Sequence, residues 1–215
     1  MKLRLICFLG ALVLMATVLP SGLRADSVPG INFTGVTTNS TNGSWSLGYE
    51  FSTNTAINVT ALGFYDATLT GGDVGLNNCT GCGETGIYDS AGNLLVSALV
   101  TTAGTQVGDF YFVSVPSTLL AAGQDYYVEA ETANADYTWD TTGFSVDPNI
   151  NFIQDAWVSS TSLAFGTNSG GLTAAGGGGI FGANFESTAV PEPTSLFLLG
   201  TGLGALGLAA WRRKK

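Results

Sequence analysis

The chain has 215 residues, a formal net charge of −9 at pH 7, three cysteines and no histidine. Every Lys and Arg falls at Arg24 or earlier, or from Arg212 onward, so Asp26 to Ala189 holds fifteen carboxylates (the chain's sixteen less Glu192) and no cationic side chain. Such a body cannot neutralise phosphates, which excludes nucleic acid as a partner, and it lacks the His or Lys that normally activates a serine or cysteine nucleophile.

At the N-terminus, Lys2 and Arg4 precede an apolar run from Leu5 to Leu19, and Leu23-Arg24-Ala25 ends in a small residue. This order predicts a secretory signal peptide over residues 1–25, Sec export and a mature start at Asp26. An uncleaved anchor is the alternative, disfavoured by a short run that ends at Pro20. Cys7 has no convincing lipobox before it, which argues against a lipoprotein.

Residues 26–189 are enough for one domain with a proper core. They are rich in Gly, Thr, Ser, Asn and aromatic residues, with no sustained helical period. Alternating or β-branched runs predict strands at Ser46–Phe51, Ala56–Tyr65, Thr85–Asp89, Leu94–Thr101, Asp109–Val115, Gln124–Glu131, Phe152–Val158 and Ile180–Glu186. Tyr88 to Leu95 reads as a hairpin whose turn uses positive φ at Gly92 and Asn93. Gly35–Ser44 reads as a loose loop and Gly166–Gly179 as a flexible one. The last strand is expected to return beside an early one, with Ser187–Val190 as a tether beyond it. The fold class is therefore all-β, an antiparallel β-sandwich of jelly-roll type.

Several constellations in this domain invite chemistry. Asp66, Asp73 and Glu84 flank a long loop, Ala67–Gly83, where Asn77 and Asn78 add amide oxygens; hard cations favour such oxygens, so calcium is the candidate metal. The mutual repulsion of fifteen acids is equally relieved by spreading them over a solvated surface. Cys79 and Cys82 sit in a Gly/Asn-rich loop without a following helix, which favours a disulfide staple over redox activity in an oxidising compartment. Glu129 and Glu131 share one strand face at about 6.5–7 Å, the spacing of a glycosidase pair and also of two solvated charges. Asp136 and Asp140 form a second such patch around Tyr137 and Trp139. Tyr126, Tyr127, Tyr137 and Trp139 offer faces for sugar stacking, or simply core area. Asn-x-Ser/Thr sequons at Asn32, Asn39, Asn42, Asn58 and Asn78 follow from composition alone.

The C-terminal segment, residues 190–215, has a different character. Pro191-Glu192-Pro193 leads into an apolar run over residues 195–211, which is followed by Arg212, Arg213, Lys214 and Lys215. That run is near the lower limit for a transmembrane helix, and the basic tail predicts a cytoplasmic end with everything before it exported. Gly200 and Gly204 have a spacing that lets a partner helix approach closely. A plain anchor would share these features, but the layout closely resembles the PEP-CTERM sorting signal of Gram-negative bacteria.

That resemblance implies an exosortase-like membrane protease as partner, with Pro191, Glu192 and Pro193 as recognition residues and Arg212 to Lys215 setting orientation. It implies an inner-membrane anchor before processing, then the cell surface or extracellular matrix, with exopolysaccharide as associated material. The phrases Ala61–Asp66, Glu84–Asp89 and Ala121–Val128 are similar to an uncharacterised β-sandwich domain of bacterial exported proteins, which implies no activity. The expectation is a non-enzymatic surface or matrix protein with no catalytic residues. A calcium-assisted carbohydrate-binding module is the alternative, and a carboxylate-pair enzyme acting on glycans comes third.

Overall fold

The computed structural model describes residues 26–169 and 178–190. In chain order the strands are β1 (Val28–Pro29), β2 (Ile31–Asn32), β3 (Gly35–Ser40), β4 (Trp45–Thr53), β5 (Ile57–Tyr65), β6 (Glu84–Asp89), β7 (Leu94–Leu99) and β8 (Thr105–Val107). They continue as β9 (Phe110–Leu120), β10 (Asp125–Glu131), β11 (Tyr137–Thr142), β12 (Ser145–Val146), β13 (Ile150–Ser159), β14 (Asn168–Ser169), β15 (Gly178–Phe181) and β16 (Ala183–Ala189). One short 3₁₀ turn, Ala67–Thr70, follows β5.

The protein is all-β, with antiparallel pairing between the strands. One sheet has the order β1-β16-β5-β9-β8 and a second has β14-β13-β4-β10-β6-β7. Smaller sheets, β15-β11-β3 and β12-β2, complete the arrangement. Alternation in β4 turns Leu47, Tyr49 and Phe51 toward the five-stranded sheet, where Phe51 lies 4.8 Å from the β16 ring of Phe185. Val128 and Ile87, in register with Tyr49 on neighbouring strands, extend the same apolar face. The core between the sheets is thus strongly aromatic, and such rings remove large areas from water. Buried Asn184 ties this core to the N-terminal segment: its Oδ1 accepts from the backbone N–H of Ile31 at 3.2 Å, and its Nδ2 donates to the Ile31 carbonyl at 2.9 Å.

Seven of the eight predicted strands are present with shifted ends; Ile180–Glu186 is divided at Gly182 between β15 and β16, which join different sheets, and β16 does return beside an early strand, pairing with β5. Four local expectations are corrected. Gly35–Ser40 is a strand because distant β11 supplies its hydrogen-bond partners, which composition cannot reveal. Gly166 is buried and Asn168–Ser169 pairs with β13, so that part of Gly166–Gly179 is packed; 170–177 lie outside the described residues. Ser187 to Ala189 belong to β16, and the Val190 N–H donates to the Ala56 carbonyl at 2.9 Å, so these residues form sheet rather than tether. In the hairpin Gly92 takes φ +82°, but Asn93 does not take positive φ. Instead Asn93 gives both its backbone and side-chain N–H groups to the Asp89 carboxylate, at 2.9 and 2.8 Å, which shapes the turn from the side-chain direction.

Candidate functional site

The outward face of the six-stranded sheet gathers most of the residues singled out for chemistry. β10 presents Tyr127, Glu129 and Glu131 there, and β6 presents Glu84, Gly86 and Tyr88 alongside them. Gly48 of β4 and Ala156 of β13 lie in register with Glu129. These small residues leave a hollow that a ten-residue strap, Ser160–Ser169, covers. Ser46 Oγ donates to the Ala164 carbonyl at 2.8 Å and accepts from its N–H at 3.2 Å. The Phe165 ring sits 4.8 Å from Tyr127 and 5.7 Å from Tyr88. A Cβ on Gly86 would come within 2.9 Å of Leu163, and one on Gly166 would overlap Glu129 Oε1.

Glu129 is consequently 0% exposed, and neither carboxyl oxygen has a hydrogen-bond partner. Burial pushes its carboxyl well above the ordinary range. The Gly166 amide opposes that shift in part, but it does not reach a well-formed hydrogen bond. Glu131 is raised by burial and then by the nearby charge of Glu84. Tyr88 and Tyr127 are each pushed up to about 12, first by burial, with carboxylates including Glu129 adding to it. The pair suggested by sequence does share one face, but the strap covers Glu129, which is fully buried.

The loop between the 3₁₀ turn and β6 is organised by its own polar groups. Asp66 is buried, and its Oδ1 accepts from the backbone N–H and the hydroxyl of Thr68 at 3.1 and 2.7 Å. Asp136 reaches across to accept from the N–H groups of Asp73 and Val74, at 2.9 and 3.1 Å. Asn78 accepts from the Gly75 N–H at 2.8 Å and donates to the Asp73 carbonyl at 2.9 Å. Cys79 and Cys82 form a disulfide with Cα atoms 6.0 Å apart. Asp73 is exposed and Glu84 half-buried, and Asn77 is exposed. Among the described residues no three Asp, Glu, Cys or His side chains converge as a metal-binding group, so Asp66, Asp73 and Glu84 are not brought together.

The aromatic candidates separate in the same way. Tyr126 packs in the core against Phe51, and its hydroxyl accepts from the Ala121 N–H at 3.0 Å. Tyr137 is buried, with its hydroxyl donating to Asn42 Oδ1 at 2.9 Å. Of the candidates with described side chains, Tyr127 stands on the outward face. The side chains of Trp139 and Asp140 lie outside the described residues. Sequence reasoning missed the strap altogether; the signal was Leu163-Ala164-Phe165, a short apolar phrase between polar neighbours.

The C-terminal segment supplies the decisive comparison. The family model for the PEP-CTERM protein-sorting motif matches residues 189–214. The chain carries this sorting motif. No curated protein and no solved structure matches the chain. The PEP-CTERM motif supports an exported protein that is anchored in the membrane before processing by exosortase, itself a membrane protein. Pro191, Glu192, Pro193, the run over 195–211 and Arg212 to Lys215 lie outside the described residues. Among the described residues no helix is long and apolar enough to cross a membrane. The match begins at Ala189, which is still paired with Ile57 in β16, so the motif starts on the sheet itself.

Proposed function

We propose that this is a non-enzymatic surface or extracellular-matrix protein of a Gram-negative bacterium, exported through Sec and associated with exopolysaccharide. The observation that carries the reading is the PEP-CTERM motif joined directly to an all-β domain without a cationic side chain. A non-enzymatic role is supported by the burial of Glu129, since a carboxylate acting on a glycan must reach its substrate. The polar, acidic exterior of such a domain suits a hydrated polysaccharide matrix.

The test uses the full chain, expressed in a strain with an exosortase and in one lacking it. The expected result is a shortened form at the surface or in the matrix only when the protease is present. Replacing Pro191, Glu192 and Pro193 together with Ala should leave the protein in the membrane. The released form is then sedimented with the host's exopolysaccharide, with calcium or with chelator. Binding under both conditions supports the matrix reading, binding lost on chelation converts it to a calcium-assisted carbohydrate-binding module, and no binding removes the polysaccharide association.

A further inference from the structure

Glu129 presents a problem that this domain cannot solve in the usual way. A buried carboxylate is normally paired with a cation or held by several donors. Between Asp26 and Ala189 there is no Lys, Arg or His to pair with it, and neither of its oxygens is hydrogen-bonded. The side chain is 0% exposed, enclosed by Gly48, Ala156 and the strap residue Gly166. A neutral acid fits this site, whereas an anion requires water.

The other titratable groups on this face make the anion less tolerable still. On β10 they are Asp125, Tyr127 and Glu131, on β6 Glu84 and Tyr88, and on β4 Glu50. β13 offers only Gln154, Ala156 and Val158 here, since Asp155 is in register with Tyr49 of the core face. The strap itself carries no titratable residue from Ser160 to Ser169, and neither does β7. Every neighbour that can charge becomes negative, so none can stabilise a carboxylate at position 129.

Relief must come from whatever part of the enclosure moves most easily. β10 is held along its length by β4 on one side and β6 on the other. Among the described residues the strap is held by the two Ser46–Ala164 hydrogen bonds, one from the Ser160 N–H to the Ser44 carbonyl at 3.3 Å, the short β13–β14 pairing and the contacts of Leu163 and Phe165. Segments with so few ties open locally before the sheet does.

We propose that the strap Ser160–Ser169 is a proton-controlled cover, closed while Glu129 keeps its proton and lifted from the Tyr88–Tyr127 face when that proton passes to solvent base. Glu129 O–H is the bond that breaks; the proton goes to water or hydroxide, and water entering under the lifted strap hydrates the carboxylate. The rings of Tyr88 and Tyr127 and the Glu129 carboxylate are then uncovered together. This extends beyond the matrix role and does not depend on it.

The experiment places 4-fluorophenylalanine at position 165 of the full chain in detergent and follows its fluorine resonance from about pH 4 to about pH 10. In the closed form that ring lies against Tyr127 and Tyr88, so lifting moves its signal toward the free-peptide position. The open-to-closed ratio is expected to rise by up to about tenfold per pH unit between the ordinary carboxyl range and the raised value in the closed form. Glu129→Gln should abolish this transition and keep the closed signal throughout. A signal that ignores pH in the parent protein, or a transition that survives Glu129→Gln, overturns the proposal. Should Glu129→Gln fail to fold, Gly166→Ala decides the matter. Its Cβ displaces the strap from Glu129 and must produce the open signal already in acid; a closed signal there also overturns it.

Discussion

The inward face of the six-stranded sheet and the part of its outward face around Glu129 are both dry, but for different reasons. The inward face is largely apolar, with Leu47, Tyr49, Phe51, Ile87 and Val128 buried there and Asp155, in register with Tyr49, as its acidic exception. Around Glu129 the outward face is dry only because a strap lies over glycines, an alanine and an acid. The first kind of burial follows from transferring apolar surface out of water and is indifferent to pH. The second depends on a proton. One strand, β10, contributes to both, with Val128 inward and Glu129 outward.

The comparison can be tested by weakening each face in turn. Phe185→Ala should have the largest effect, about 3–5 kcal/mol of global stability by urea denaturation, because its ring contacts both Phe51 and Tyr49 in the core. The next effect concerns pH. The folded form of Glu129 holds its proton more tightly than the unfolded chain does. Stability should therefore be greatest below the unfolded carboxyl range, fall by up to about 1.4 kcal/mol per pH unit above it, and level off past the raised folded value. Urea midpoints measured across pH should show this decline in the parent and a flatter profile in Glu129→Gln. Equal slopes would mean that the outward face is as pH-indifferent as the core.

Smaller effects locate the boundary between the two kinds of burial. Replacing Cys79 and Cys82 by Ser should cost about 2 kcal/mol or less, since the loop closed is very short. Phe165→Ala should cost about 1–2 kcal/mol, less than Phe185→Ala, because the strap ring is only half-buried. If the two phenylalanines cost the same, the strap is part of the global core and not a cover over it. Asp89→Ala should be the smallest change and opposite in pH sense to Glu129. Hydrogen bonds from Asn93 hold the Asp89 carboxyl below its ordinary range, so its contribution is present above the unfolded value and is lost as pH falls through the folded one. Thermal melts of the variant and the parent should therefore converge only in acid below the lowered folded value of Asp89.

The amino-acid order alone determined the C-terminal sorting motif and the secondary-structure class. A sorting motif is a contiguous string, so Pro191-Glu192-Pro193, the apolar run and the Arg/Lys tail are legible without any contact being known. The long strands were legible for a related reason: alternation is a local property, and β4, β5, β6, β9, β10 and β13 each carry enough of it. Glu129 and Glu131 were rightly placed on one face, because two residues apart on a strand leaves no choice.

What lay over that face was decided only in three dimensions. The strap covers Glu129 because β13 carries the chain past β4, so that Ala164 meets Ser46 and Gly166 meets Glu129, pairs far apart in sequence. Gly35–Ser40 became a strand for the same reason, its partner β11 lying about a hundred residues onward. The buried Asp136 reads as one member of a surface acid patch in a string of letters, yet it clamps the N–H groups of Asp73 and Val74, which only the fold brings within its reach. Local pattern tells which residues alternate; whether an alternating polar residue meets water depends on what the rest of the chain lays across it.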